Sequence, residues 1–229
     1  DTGDTGDTGD NPELRDTGEP SGETGVSIPE SSWGEIEGDC GVLDSEEWSS
    51  PIPHRFRNTI DFGEQIFDPE LLSDDGLRIY EAGNLGGSSL HSEVLAFEIL
   101  MRCEVAELLG TEGEIDYEDS DGKKIDLLVE MDGNVVGVSV TRAFHWPPEE
   151  PFTVDEGVVL LEDKLVDVLA SADNAAPDDS WVRSLLHVIA YDTTAADAIE
   201  TAHEMLDEDV RDSTVLFVTV TEGDDEIVY

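Results

Sequence analysis

Apolar and polar positions alternate over residues 124–131 and again over residues 135–142. Alternation with a period of two is typical of a strand that buries one of its faces. The two runs are separated by Asp132-Gly133-Asn134, and an Asp-Gly step between alternating runs is a strong signal for a tight turn. The pattern therefore predicts a β-hairpin.

The same period predicts which side chains share a face of this hairpin. In the first run, Lys124 and Asp126 lie on one face. In the second run, the small and polar side chains share a face, and these are Gly137, Ser139 and Thr141. If Asp126 points to the same side as this polar set, the middle of the sheet contains a polar pocket with little bulk.

Apolar residues at helical spacing flank the hairpin on both sides. Val94, Phe97, Leu100 and Met101 recur at intervals of three and four, which predicts a helix over residues 90–109. Further patterns of both kinds predict the remaining elements. The other predicted helices are 155–171 and 194–207, and the other predicted strands are 113–118, 184–191 and 213–221.

The predicted order of elements is α-β-β-β-α-β-α-β. The final β-α-β unit requires two parallel strands joined by a right-handed crossover, whereas the hairpin is antiparallel. A sheet that combines both pairings is mixed, and its two faces are covered by helices. We therefore expect an α/β fold, a three-layer sandwich around a mixed sheet.

The first part of the chain has a different character. Residues 1–9 read DTGDTGDTG, and looser copies follow at 16–19 and 22–25. Such a sequence offers almost no apolar surface to offset the entropy that is lost on ordering. We therefore predict a low-complexity acidic arm over residues 1–80, mostly disordered, and an α/β domain over residues 81–229.

Negative charge dominates the 229-residue chain, which has 57 Asp and Glu against 11 Lys and Arg and a net charge of −46. Residues 1–80 carry 21 acidic and 4 basic groups, and residues 81–229 carry 36 and 7, so an acidic tail alone does not explain the charge. Three explanations stay open: adaptation to a high-salt cytoplasm as in a halophile, binding of a basic protein partner, and mimicry of nucleic acid by carboxylates. The charge opposes binding to nucleic acid, because that affinity comes largely from Lys and Arg.

The two cysteines, Cys40 and Cys103, occur in regions of different character. This arrangement favours reduced thiols over a disulfide framework and predicts an intracellular protein, cytoplasmic or nuclear. No run of about 18 apolar residues is present, so no membrane span is expected.

Glu93, near the start of the first predicted helix, is placed to cover the pocket of Asp126, Ser139 and Thr141. A helix with an N-terminal glutamate, then a hairpin with an aspartate on one strand and a polar-x-polar triplet on the next, resembles the PD-(D/E)xK nuclease superfamily. This superfamily is also called restriction-endonuclease-like, and the resemblance covers residues 88–221. It implies a metal-dependent phosphodiester hydrolase that acts on DNA or RNA.

Taken residue by residue, the resemblance implies that Glu93 and Asp126 are catalytic and bind Mg²⁺. Ser139 stands where the superfamily has Glu or Gln, and Thr141 stands where it has lysine. Mg²⁺ prefers carboxylate and water oxygens, and the lysine orients water or stabilises charge. Serine and threonine supply neither a carboxylate nor a positive charge, so Lys124, two residues before Asp126, is the expected catalytic substitute.

Two functions of different classes follow from these residues. One is a nuclease-like domain with weak or lost Mg²⁺-dependent phosphodiesterase activity. The other is a non-catalytic acidic interaction protein with the same fold. The residues also fit an unrelated α/β domain in which Asp126 lies at an exposed strand end. His187, inside the apolar run 184–191, is predicted to be a core histidine.

Overall fold

The computed structural model describes residues 33–83, 89–145, 147 and 150–229. Within these residues, the strands are β1 (Glu35–Gly38), β2 (His54–Asp61), β3 (Glu107–Thr111), β4 (Leu127–Met131), β5 (Asn134–Ala143), β6 (Arg183–Ala190) and β7 (Val215–Glu222). The α-helices are α1 (Ser45–Ser49), α2 (Asp74–Ala82), α3 (Leu90–Glu104), α4 (Val154–Asn174), α5 (Thr193–Met205) and α6 (Glu208–Arg211).

The described strands form one mixed sheet in the order β1-β2-β7-β6-β5-β4-β3. Strands β2, β7, β6 and β5 run parallel to one another, and β1, β4 and β3 are paired in antiparallel fashion. The expected α/β fold is therefore confirmed. From α3 to β7 the elements follow the predicted order, with the short α6 in addition.

Helices cover both faces of this sheet because its central strands have apolar side chains on both faces. On one face, Val138 and Val140 of β5 pack with Phe97 of α3. On the other face, Ala143 of β5 packs with Leu161 of α4 and with α5. The result is the predicted three-layer sandwich. None of the described helices is both long and apolar enough to cross a lipid bilayer.

The predicted turn of the hairpin is confirmed. Asp132 and Gly133 have φ of 48° and 72°, the pair of positive values that a two-residue type I′ turn requires. This turn sets the register in which Leu127 pairs with Val138 and Met131 with Asn134. Strand β4 is shorter than predicted, however, because it begins at Leu127 instead of residue 124.

The first predicted helix ends early. At its end, Val105 has a left-handed conformation with φ of 54°, and Ala106 N donates a hydrogen bond to Leu100 O. Residues 107–111 then pair with β4 as strand β3, so the strand predicted over 113–118 is wrong. Apolar residues at helical spacing continue past residue 104. Residues 107–111 nevertheless form a strand, because the backbone of β4 provides hydrogen-bond partners for them.

The boundary predicted at residue 80 is corrected by the structure. Residues 33–83 contribute β1, α1, β2 and α2 to the domain, and β2 lies inside the sheet between β1 and β7. The physical reason is that Trp33, Ile60 and Phe62, although separated by polar residues, are buried in the core with α3. Residues 1–32, the other part of the predicted arm, lie outside the described residues.

The expectation of reduced thiols is also corrected, because Cys40 and Cys103 form a disulfide. The connection from β1 to α1 lies on the C-terminal end of α3. There the carboxylate of Glu104 accepts hydrogen bonds from the backbone N–H groups of Gly41 and Leu43, each at 2.9 Å. These contacts bring together two cysteines that are 63 residues apart in the sequence.

Candidate carboxylate site

The hairpin opens at Asp126, the residue before β4. Asp126 N donates to Val138 O at 3.0 Å, as expected for a backbone ladder. The next bond uses a side chain, because the backbone N–H of Val140 donates to Asp126 Oδ2 at 2.6 Å. A charge-assisted bond of this kind holds the carboxylate in place where the two strands separate.

Glu93 approaches the same place from the first turn of α3. Its side chain is buried, with 6% of the residue exposed. Glu93 and Asp126 both line a cavity of about 240 Å³, whose wall also includes Ile79 of α2 and Glu112 and Glu114 of the β3–β4 connection. The fold therefore brings the two predicted metal ligands, which are distant in sequence, into one cavity.

Negative charge is concentrated around this cavity. Burial and the negative charge of Glu93 raise the pKa of Asp126 from 3.8 to about 7, although the hydrogen bond from Val140 and the positive charge of Lys164 lower it. Burial also raises the pKa of Glu112, with an opposing effect of Lys124 and a further increase caused by Glu93. Carboxylates in such a group favour a bound proton or a bound cation.

Ser139 and Thr141 lie on the other side of the sheet. Because Val138 and Val140 pack in the core with α3, alternation along β5 turns Ser139 and Thr141 toward the layer of α4 and α5. Neither residue is in the described lining of the cavity. The structure thus separates these two predicted site residues from Glu93.

The carboxylate of Asp126 departs from the predicted face because Asp126 precedes the strand. Ile125 and Leu128 are buried in the same small apolar cluster, which strict alternation between faces would not allow. The period of two therefore begins at Leu127 and does not extend back to Lys124. A cavity at the end of the hairpin takes the place of the predicted pocket in mid-sheet.

Two of the three lysines act on different carboxylates in the wall of the cavity. Lys124 Nζ lies 5.5 Å from the ring centre of Tyr117, and its charge lowers the pKa of Glu112. Lys164 of α4 is partly buried, and it is the lysine whose charge acts on Asp126. The sequence prediction named Lys124, whereas the lysine whose charge acts on Asp126 is Lys164.

One signal for Lys164 was available. It is one of three lysines in the chain, and it lies between Leu161 and Leu165, which form the buried stripe of α4. A scarce cation beside a buried stripe is a candidate for a specific partner. Glu112 carried no comparable signal, since it lies among several acidic residues in a turn.

The two carboxylates match the donors that Mg²⁺ uses, because this ion is usually held by one or two protein carboxylates together with water and phosphate oxygens. Among the described residues, no group of three or more His, Cys, Asp or Glu side chains is arranged to hold a metal ion. A cation at this site would therefore be bound by Glu93 and Asp126 and would keep several waters. Its positive charge would favour the ionised form of Asp126.

Comparison with known proteins adds one relative. The chain is 36% identical over 155 residues to the AAC-rich mRNA clone AAC4 protein of Dictyostelium discoideum. The match covers 65% of this chain and 22% of that protein, so the chain spans less than a quarter of the relative's length. No protein family and no solved structure matches the chain.

Proposed function

We propose that this domain is nuclease-like, that Glu93 and Asp126 bind one divalent cation, and that its phosphodiesterase activity on DNA or RNA is weak or lost. The observation that carries the proposal is the shared cavity, in which carboxylates from α3 and from the hairpin meet. The order of elements from α3 to β7 supports it further, because the resemblance to the PD-(D/E)xK superfamily rests on that order.

The electrostatic cost of the carboxylate pair supports a binding role. A change of one pKa unit corresponds to about 1.4 kcal/mol, and the pKa of Asp126 rises from 3.8 to about 7. The ionised form of Asp126 is therefore unfavourable when no cation is present. Costs of this kind in a cavity wall are more typical of functional sites than of purely structural positions.

The residues of the chain have distinct roles in this proposal. The N–H of Val140 binds Asp126 Oδ2 and orients the carboxylate, while Glu93 supplies the second carboxylate from α3. A divalent cation held by Glu93 and Asp126 would supply Lewis-acid chemistry, since it would polarise a phosphate and make a bound water more acidic. The positive charge of Lys164, which acts on Asp126, offsets part of the negative charge of the carboxylate pair.

We propose low activity because the second strand of the hairpin contributes little to the cavity. Ser139 and Thr141 supply neither the carboxylate nor the lysine of the PD-(D/E)xK pattern, and they lie on the side of the sheet away from α3. A net charge of −46 also opposes the approach of a nucleic acid.

Cation binding can be measured separately from cleavage. Free Mn²⁺ is followed by electron paramagnetic resonance in titrations of wild type, Glu93→Gln and Asp126→Asn, at about 1 M salt to screen the acidic surface. Each variant removes one negative charge with little change in shape. We expect one Mn²⁺ site in the wild type and affinities at least about tenfold weaker in both variants.

The matched control is Glu130→Gln, which removes the same charge from an exposed position of β4. This variant should bind Mn²⁺ as the wild type does, and equal affinity of all four proteins would refute the cation site. Labelled DNA and RNA are then incubated with Mg²⁺ or Mn²⁺. Cleavage by the wild type and Glu130→Gln but not by Asp126→Asn indicates an active nuclease, and no cleavage with an intact cation site indicates lost activity.

The net charge favours a second candidate function, a non-catalytic protein that binds a basic partner or mimics nucleic acid. Acidic groups outnumber basic ones by 57 to 11, and such a surface attracts basic proteins over a distance that depends on ionic strength. This function is the better one if the cavity variants and the wild type bind Mn²⁺ equally.

The intracellular location stays a prediction. The Cys40–Cys103 disulfide opposes it, because the cytosol and nucleus keep most protein thiols reduced.

A further inference from the structure

A groove of about 500 Å³ lies between α4 and α6. Val166 and Val210 provide its apolar surface. Asp163, which precedes Val166 in the sequence, and Asp167, which follows it, also line the groove. The complete lining is Lys123, Glu162, Asp163, Val166, Asp167 and Val210. None of these residues lines the cavity of Glu93 and Asp126.

Two exposed valines make the outer face of α4 apolar, Val166 in the groove and Val159 next to it on the same helix. Val159 is 60% exposed and Val166 is 57% exposed. They are seven residues apart, which is close to two helical turns, so they lie on one stripe. The opposite stripe of α4 is already buried in the core through Leu161, Leu165 and Val168. The exposed valines therefore contribute little to the folding of this chain.

Carboxylates border the exposed stripe. Glu162 and Asp163 lie between the two valines in sequence, and helical spacing puts them on the same side of α4. Lys123, the cation that lines the groove, is ion-paired with Asp167 at 2.7 Å. The groove thus combines an apolar surface with an acidic border.

We propose that this groove and stripe bind a basic amphipathic helix of a partner protein. The apolar side chains of that helix would pack on Val159, Val166 and Val210, and its Lys or Arg side chains would pair with Glu162 and Asp163. Grooves of this composition bind helices through anchors at helical spacing, and complementary charge favours the correct partner. The inference deepens the second candidate function, on which it rests, and is independent of the cation site.

Charge decides between a basic partner and a second copy of this chain. A second copy carries the same net charge of −46, so two copies repel each other at low ionic strength. It would also place carboxylates against Glu162 and Asp163. A basic helix relieves the repulsion within the acidic border, and a nucleic acid would increase it.

The test uses the full chain and a synthetic helical peptide of Leu and Lys with about 18 residues, which is about 27 Å long as a helix. Binding is measured by fluorescence anisotropy at low and high salt. We expect Val159→Asp and Val166→Asp each to weaken binding by about tenfold, as for a central interface side chain. The double variant Glu162→Gln/Asp163→Asn should reduce the salt dependence of the affinity.

The control Val182→Asp adds the same charge at a valine that is 65% exposed and is not part of the groove. It should bind the peptide as the wild type does, and circular dichroism should show that all variants are folded. Equal binding by the groove variants and the wild type would overturn the groove but leave a basic partner on another surface. If the wild type does not bind the peptide, both the groove and the basic partner are overturned.

Sedimentation of the wild type without peptide tests whether a second copy of this chain occupies the groove instead. A dimer that Val166→Asp abolishes and Val182→Asp retains would overturn the proposal in favour of a second copy. A monomer in all three proteins, together with peptide binding that depends on Val166, supports the proposal.

Discussion

The backbone N–H of Val140 donates to Asp126 Oδ2 at 2.6 Å, at the point where the ladder between β4 and β5 ends. The carboxylate of Asp126 therefore has two roles. It replaces a carbonyl oxygen as the acceptor of a strand, and it faces the cavity that it shares with Glu93. Its hydrogen bond stabilises the hairpin, while its charge is unfavourable in the cavity when no cation is present.

Substitutions of Asp126 can separate these two effects. With a chelator at about pH 8, where the carboxyl group is ionised, we expect Asp126→Asn to raise the free energy of unfolding by about 1.4 kcal/mol or more, the equivalent of one pKa unit. Asp126→Ala should be about 1–3 kcal/mol less stable than Asp126→Asn, because it leaves the N–H of Val140 without its acceptor. Urea unfolding measures both differences, and equal stability of the two variants would contradict the role of the hydrogen bond.

His187 is a core histidine, as the sequence predicts, and is fully buried in β6. Its Nε2 lies 2.8 Å from Thr219 Oγ1, which in turn donates to Asn58 Oδ1 at 2.7 Å. Because the Thr219 hydroxyl proton is used in that bond, Nε2 is the protonated nitrogen of the neutral ring. Nδ1 has no hydrogen-bond partner among the described residues.

Burial lowers the pKa of His187 to about 3 from 6.5. Between these two values the unfolded chain binds a proton that the folded protein does not, so this histidine lowers the stability as the pH falls through that window. Above the unfolded pKa of 6.5, the ring is neutral in both states and His187 causes no loss of stability. We expect the NMR shift of the His187 ring carbon to stay constant from about pH 8 to about pH 4.5 and to titrate normally in urea. A midpoint near 6 in the folded protein would contradict this.

Gly137 leaves room for the indole ring of Trp181. A Cβ atom at Gly137 would lie 2.5 Å from Cε2 of that ring, closer than packed atoms approach. We therefore expect Gly137→Ala to lower the stability by about 1–3 kcal/mol through overpacking. Gly113→Ala is the control, because its Cβ would have no neighbour within 4 Å. Thermal unfolding compares the two, and similar melting temperatures would refute the packing argument.

The disulfide between Cys40 and Cys103 should stabilise the attachment of the β1–α1 segment to α3. We expect reduction of the wild type to lower the free energy of unfolding by about 2–5 kcal/mol. Cys40→Ser should show the lowered stability without reductant and no further loss with it, since Cys40 is exposed and tolerates serine. Alkylation of the denatured wild type checks the bond itself, and two modified thiols without reductant would show that it is not formed.

The sequence by itself determined the elements whose signal is local. The hairpin turn, α4, β6, α5 and β7 follow from periods of two and of about 3.6 and from the Asp-Gly turn, and their observed bounds agree with the prediction to within a few residues. The order of these elements was sufficient for the mixed sheet, because a β-α-β unit and a hairpin allow few arrangements.

Only the tertiary structure decided the features that depend on a distant partner. Residues 107–111 form a strand because they pair with β4, and β2 belongs to the sheet because it pairs with β7. The position of Asp126 depends on where the ladder ends, and its pKa depends on Glu93 from α3 and Lys164 from α4. Periodicity describes neighbours along one element, whereas burial and charge at a site are set by elements that meet only after folding.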